Sequence, residues 1–367
     1  MDQTQDAEAP THEATTCGDS HREPYDIFVT VGTDHHRFDR VIQQVDEYVH
    51  RRALDGVPVR AFFQTGTSAS PSNSDSAEYV EPDDMAWLMA TSSVVICHGG
   101  PATIVDARNT GRLPIVVPRD PKLGEHVDSH QQRFAQFLSE RGQIALCPDQ
   151  RLLWEAIDRK LEDRVPDELE QTETEIGKAV GRLTDLVDRA VYLGERPGRR
   201  PLPARFRRRR RERLDSEQYR ILFATSGGGH LAQCLKLRPW FERHERSWVT
   251  FNMMSVRSLL GDEQAHWAHF PTTRHVGNLA RNLVLANRLL RRERPDVIVS
   301  TGAGVAVPFF WLSRFYGVVT VFIEVYDRID LATMTGKLVQ PTADLMVVQW
   351  PEQQDLYERA IVVGTLL

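Results

Sequence analysis

The chain has little cysteine. Its four cysteines, Cys17, Cys97, Cys147 and Cys234, lie far apart, with no CxxC pair and no Cys/His cluster. That spacing argues against a disulfide framework and a cysteine zinc site, and for reduced thiols. Long apolar runs are also missing. None reaches the roughly 18–20 residues that span a bilayer, and Met1 to Glu23 is polar and acidic, the opposite of a signal peptide. A cytoplasmic protein is expected. The net charge of −6 argues against a polyanion binder, and no recognisable nucleic-acid module is present. What remains is ordinary soluble composition, 41% hydrophobic and 26% charged over 367 residues, enough for two domains.

Residues 1–24 have few apolar side chains and are expected to be a disordered tail. From Tyr25 strands and helices alternate. Strands are expected at Asp26 to Val31, Val59 to Gln64, Ser93 to Cys97, Pro114 to Pro118 and Ile144 to Cys147. Helices fall between them, and Thr65 to Ser76 reads as a loop. Residues 151–218 read as a helical, arginine-rich linker containing Arg207 to Arg211. The alternation restarts over 219–367, with strands at Ile221 to Thr225, Trp248 to Phe251, Val297 to Ser300, Val319 to Glu324, Ala343 to Val348 and Ala360 to Val363. The pattern predicts an α/β protein with two Rossmann-like parallel-sheet domains, 25–150 and 219–367, facing one cleft.

Two glycine turns carry the chemistry. His98-Gly99-Gly100 ends a strand and opens a helix, which aims backbone N–H groups at a diphosphate. Asp106, one turn further on, suits ribose hydroxyls, or else lies on the solvent face of an ordinary turn. Ser226-Gly227-Gly228-Gly229-His230 repeats the arrangement, and Thr301-Gly302-Ala303-Gly304 follows another strand.

The stretch CHGGPATIVDARNTGRLPIVVPRDPKLGEHVDSHQ resembles the donor domain of GT-B glycosyltransferases of the lipid-II-forming and dolichol-linked N-acetylglucosaminyltransferase type, and TVGT (Thr30 to Thr33) resembles its opening turn. TSGGGHLAQ, STGAGVAVP and FIEVYDRID in the second half resemble the membrane-recruiting partner subunit of such pairs, which also serve bacterial exopolysaccharide synthesis. The resemblance implies a GT-B fold in one fused chain, donor half first. It implies an inverting hexosyltransferase that takes a UDP-sugar and a polyprenyl-diphosphate-linked glycan at the inner membrane face. Carried over by position, His98, Gly99, Gly100 and Thr103 lie at the donor diphosphate, and Gly32 and Thr33 also belong to the donor-binding set. Asp106 holds the ribose where the lipid-II enzyme has Glu, and Gln131 and Gln132 contact the sugar. The second-half loops Ser226, Gly227, Gly228, Gly229, Gly302 and Gly304 receive the acceptor.

A reaction of this kind needs a base for the acceptor hydroxyl. His230, closing the second glycine loop, is the first candidate, or an acceptor-phosphate contact. Glu324, at a strand end, is the second, or a buried carboxylate that orients the Gly302 to Gly304 loop. Asp34, His35 and His36 could reach the sugar or lie in an exposed turn. No metal and no cofactor is expected, in keeping with the lack of a suitably placed DxD pair. The helix Gly277 to Arg294 carries Leu279, Leu283, Leu285, Ala286, Leu289 and Leu290 among arginines, and could lie on an anionic leaflet or against the core. The same fold also admits a UDP-sugar 2-epimerase or a non-catalytic sugar-nucleotide-binding scaffold.

Overall fold

The computed structural model describes residues 23–32, 35–163, 172–197, 218–272 and 275–366. Residues 1–22 of the tail expected over 1–24, together with Thr33, Asp34 and the Arg207 to Arg211 run, lie outside the described residues. The chain divides into two compact units, Met1–Gln171 and Thr172–Leu367.

The first unit runs β1 (Ile27–Thr30), α1 (Asp39–Leu54), β2 (Ala61–Gln64), β3 (Asp75–Ala77), α2 (Pro82–Thr91), β4 (Val94–Cys97), α3 (Pro101–Asn109), β5 (Ile115–Val116), α4 (His130–Glu140), β6 (Ala145–Leu146) and α5 (Gln150–Asp163). Its strands form a parallel sheet in the order β3-β2-β1-β4-β5-β6. Both faces of the central strands β1 and β4 are buried, so β4 is continuously apolar and β1 nearly so. Ile27, Val29 and Ile96 pack with Val45 of α1 and Leu153 and Ile157 of α5. Phe28 and Val95 point the other way, onto Leu88 and Met89 of α2 and Ala107 of α3.

The second unit opens with α6 (Thr172–Asp188) and continues through β7 (Arg220–Ala224), β8 (Glu245–Thr250), β9 (Ala265–Trp267), β10 (Val297–Ser300), β11 (Val319–Ile323), β12 (Leu345–Val348) and β13 (Ala360–Val362). The sheet order is β13-β12-β11-β10-β7-β8-β9, again all parallel. Ile221, Phe223, Val297 and Val299 face Leu183 and Val187 of α6, while Leu222 and Ile298 face Leu289, Phe309 and Phe310.

Several expectations are corrected. The described parts of the expected linker are core elements, since α5 packs into the first unit and α6 into the second. β3 falls where a loop is expected. It is a short edge strand of exposed polar residues with no apolar alternation to announce it. Buried Asp46 orders the loop before it, accepting from the backbone N–H of Ser72 (2.9 Å) and Asn73 (3.0 Å). The expected helix from Leu231 to Phe241 is two, Gly229–Leu235 and Arg238–Phe241, because Pro239 cannot continue the ladder. The helix Val276–Arg292 turns most of its apolar side inward. Leu285, Ala286, Leu289 and Leu290 are buried in the core, so the lipid-facing reading fails for them. Val276 and Val284 remain 79% and 71% exposed on it.

Candidate functional site

In each sheet the connections run in opposite directions from one central strand pair, β1/β4 in the first unit and β7/β10 in the second. Helices leave such a pair on opposite faces, and the carboxyl ends of its strands open a crevice. In both units a histidine and glycine turns meet there.

In the first unit the histidine is His98. A Cβ on Gly32, just beyond β1, would lie 2.6 Å from its Cε1, and one on Gly100 would lie 2.5 Å from its Nε2. The imidazole therefore fits only because both positions lack a side chain. Gly32 also has φ of +76°, which L side chains rarely adopt. Gln64, fully buried in β2, fixes this turn. Its Oε1 accepts from Thr30 Oγ1 (2.6 Å) and Gly32 N (3.1 Å), and its Nε2 donates to Gly32 O (3.0 Å) and Glu78 O (2.9 Å). All its bonding capacity is used. Gly100→Ala is expected to cost about 1–3 kcal/mol, and less in a His98→Ala background. Urea unfolding of the two single variants, the double variant and the parent measures that coupling.

Gly100 caps α3 in an extended conformation and Pro101 takes the first helical position. The first-turn N–H groups of Ala102 and Thr103 precede any intrahelical partner, which suits an anion. Thr103 is half-buried. Asp106 is exposed between buried Val105 and Ala107. A Cβ on Gly99 would be 3.8 Å from Gln131 Cβ, so the first turn of α4 abuts the glycine turn. Gln131 is 7% exposed, and its buried Oε1 has no hydrogen-bond partner among the described residues. Gln132 is half-buried.

Arg119 is a positioning residue that the sequence did not single out. It is 1% exposed and its guanidinium lies over the Phe38 ring. NH1 donates to His36 O (2.6 Å) and Glu125 O (2.9 Å), and NH2 to Val31 O (2.8 Å). It thereby ties the loop after β1 to the segment leading into α4. Glu125 is fixed in turn by Arg40, through Nε and NH2 at 3.0 Å each. Burial pushes the Cys97 thiol up to about 12 and the Cys147 and Cys234 thiols up to about 11, so these cysteines are inert core.

In the second unit the histidine is His230, in the helix Gly229–Leu235. Gly228 precedes it with φ of +66°. A Cβ on Gly302 would lie 2.7 Å from His230 Cε1, and Gly302 has φ of +124°. His230 Nδ1 lies 2.9 Å from Thr301 O. A carbonyl only accepts, so Nδ1 carries the proton and Nε2 keeps its lone pair. Thr301 Oγ1 returns a bond to His230 O (2.8 Å) and reaches Thr225 Oγ1 (3.3 Å) and Cys234 Sγ (3.4 Å). Burial holds the His230 pKa below 6.5, partly offset by the Thr301 carbonyl and by Asp327, while Arg328 adds to the lowering. The imidazole is therefore neutral at neutral pH. A Cβ on Gly227 would strike Val256 (2.8 Å), and one on Gly304 would press on Thr272 (3.1 Å). Ser226 is half-buried and Gly229 exposed.

Glu324 stands at the end of β11, as expected, and is the buried carboxylate of its two readings. It is fully buried, and both carboxylate oxygens are engaged. Oε1 accepts from Val325 N (2.9 Å), and Oε2 from Thr333 N (3.3 Å), Thr333 Oγ1 (3.1 Å) and the Tyr357 hydroxyl. Burial pushes its pKa up, and these donors hold it back. It ties down the 325–333 segment, which carries Asp327 and Arg328, and not the Gly302 to Gly304 loop.

Residues 26–189 match the model of the glycosyltransferase family 28 C-terminal domain, and residues 265–366 match that of the Alg14-like oligosaccharide biosynthesis proteins. Among similar proteins, the UDP-N-acetylglucosamine transferase subunit ALG14 of Mus musculus is 26% identical over 183 residues, 41% of this chain and 84% of that protein. Its Homo sapiens counterpart is 27% identical over 104 residues, 27% of this chain and 47% of that protein. A UDP-N-acetylglucosamine–N-acetylmuramyl-(pentapeptide) pyrophosphoryl-undecaprenol N-acetylglucosamine transferase of Aromatoleum aromaticum is 36% identical over 70 residues, 19% of this chain and 18% of that protein. The alignments thus span less than half of the human and bacterial relatives. The chain thus carries, in one polypeptide, a first segment similar to the family 28 glycosyltransferase C-terminal domain and a later one similar to the Alg14-like proteins.

Proposed function

We propose that the chain is an inverting glycosyltransferase that moves a sugar from a UDP-sugar to a polyprenyl-diphosphate-linked acceptor. The observation that carries this reading is the pairing, in one sequence, of the family 28 and Alg14-like domains. The relatives' names make UDP-N-acetylglucosamine the first donor to try.

The His98 to Gly100 turn and the first-turn amides of α3 receive the donor diphosphate and stabilise the departing UDP. The buried Oε1 of Gln131 beside Gly99, without a partner among the described residues, supports a bond from a sugar hydroxyl. Gln132 is a second sugar contact, and Asp106 takes the ribose. The turns at Ser226 to Gly229 and at Gly302 and Gly304 take the acceptor phosphates. His230 Nε2 accepts the acceptor hydroxyl proton as that oxygen bonds to the anomeric carbon and the bond to UDP breaks. Glu324 is a positioning residue.

No helix of the described residues is long and apolar enough to cross a membrane. Exposed Met253, Met254, Phe270, Val276 and Val284, with arginines on the helix Val276–Arg292, support peripheral attachment at the inner face of the cell membrane. The product enters an exopolysaccharide or another surface glycan.

The test is a panel of labelled UDP-sugars incubated with membranes and the full chain. One donor is expected to yield a labelled lipid product. Donor epimerised without any acceptor would instead assign a 2-epimerase, and no turnover of any donor would leave a binding scaffold.

A further inference from the structure

The loop that leads into α4 carries a histidine and a carboxylate in the sequence His126-Val127-Asp128-Ser129-His130. Its two imidazoles and its carboxylate converge, with one ligand atom from each of His126, Asp128 and His130 lying within 4.8 Å of the others. His126 Nδ1 is 3.8 Å from Asp128 Oδ1, and His130 Nδ1 is in hydrogen-bond contact with the same oxygen. The His126 and His130 rings meet edge to face at 4.7 Å between centroids. His36 stands 5.9 Å from His126, and His35 packs on His36 at 3.9 Å.

This clustering is built into the fold. Arg119 bonds the carbonyls of His36 and Glu125, which brings the loop after β1 beside the segment that holds His126. The His126 and His130 side chains are only 10% and 12% exposed, while Asp128, at 40%, leaves a way in from solvent.

We propose that His126, Asp128 and His130 bind a divalent transition-metal ion of the zinc type. Two imidazoles and one carboxylate suit such an ion, and magnesium far less. Ligand bonds of about 2.0–2.2 Å set tetrahedral donors roughly 3.3 Å apart. His126 closes by a few tenths of an ångström to reach that, and the Asp128 carboxylate swings away from His130. The fourth position stays open to water or to an oxygen of a bound anion. Coordination through Nδ1 leaves the proton of each ring on Nε2. An imidazolium releases one proton to solvent, so uptake weakens as the pH falls. Gln131 follows His130 directly and abuts Gly99, so an ion here stiffens the first turn of α4 where it meets the glycine turn. The proposal does not depend on the transferase reading.

The test is titration of the untagged full chain with Co2+ and with Zn2+, in the absence of nucleotide. Saturable uptake of one ion per chain is expected, with the visible absorption of tetrahedral cobalt bleached by zinc, and Mg2+ is expected to give no competition. His126→Ala and Asp128→Asn, each checked for an unchanged fold by circular dichroism, should weaken uptake by at least about tenfold. His50→Ala, on α1, should leave it unchanged. No saturable uptake, or uptake unaltered in both loop variants, overturns the assignment, because the chain has 13 histidines that could hold the ion elsewhere.

Discussion

His230→Ala is expected, if His230 is the base as proposed, to lower turnover by about 10²–10⁴-fold, the usual contribution of a positioned general base. The expectation rests on the neutral ring with Nδ1 committed to Thr301 O, which leaves Nε2 as the basic atom. It also sets the pH profile. A base must be unprotonated, and burial holds this one below 6.5, so the acid limb of the rate falls below pH 6.5 and disappears in the variant. Initial rates with the best donor of the panel, measured across pH for both proteins, check both points. A purely structural His230 gives another pattern. The ring fills the space over Gly302, so its loss would then lower thermal stability and raise KM without removing the acid limb. Added imidazole, which fits the vacated space, should restore part of kcat only if the ring carries the proton.

The second large effect is on stability. Glu324→Ala removes the acceptor from the N–H groups of Val325 and Thr333 and from the hydroxyls of Thr333 and Tyr357, the last of these buried and the others part-buried. Each unsatisfied buried donor costs about 1–3 kcal/mol. Water entering the space left behind relieves some of this, so the expected loss is about 3–5 kcal/mol, read from urea unfolding of the second unit's transition. Glu324→Gln keeps the volume but turns one NH2 toward donors, and should cost about 1–3 kcal/mol. A loss below about 1 kcal/mol for the alanine variant would mean that the 325–333 segment re-forms its bonds without the carboxylate.

Much of this frame was legible along the chain. Apolar strand runs ending in glycine, each followed by a helical pattern, placed most of the strands and both interlocked turns. Sequence alone could not show that His98 sits between Gly32 and Gly100, because those partners are 66 residues apart at Gly32. Gln64 and Arg119 went unassigned for the same reason. Their bonds reach across 32 and 88 residues, and nothing local in their neighbourhoods encodes that. The edge strands β3 and β9 are three residues each and none of their residues is fully buried, so no buried face imposes a hydrophobic pattern on them. The helix Val276–Arg292 was left open between lipid and core. Its apolar side is real, but leucines facing a core and leucines facing lipid have the same spacing, and only the neighbouring Phe309 and Phe310 decide between them. Glu324 was placed correctly at a strand end, yet its partner Tyr357 lies 33 residues on, and that contact turns an expected base into a tether.

The span that matches the family 28 domain ends at residue 189, whereas the border between the compact units falls at 171. Its last helix, α6, therefore falls within the family 28 match by sequence and within the second unit by packing. A dissection guided by homology alone would cut after that helix. It would deprive the Alg14-like fragment of Leu183 and Val187 and open to water the strip of sheet they cover, Ile221, Phe223 and Val299 among it. A workable severance lies between Asp163 and Thr172, which sends the helix with the fragment that shelters it. The family match and the packing thus draw the border in different places, and only a cut before Thr172 keeps the hydrophobic interior of the second unit closed.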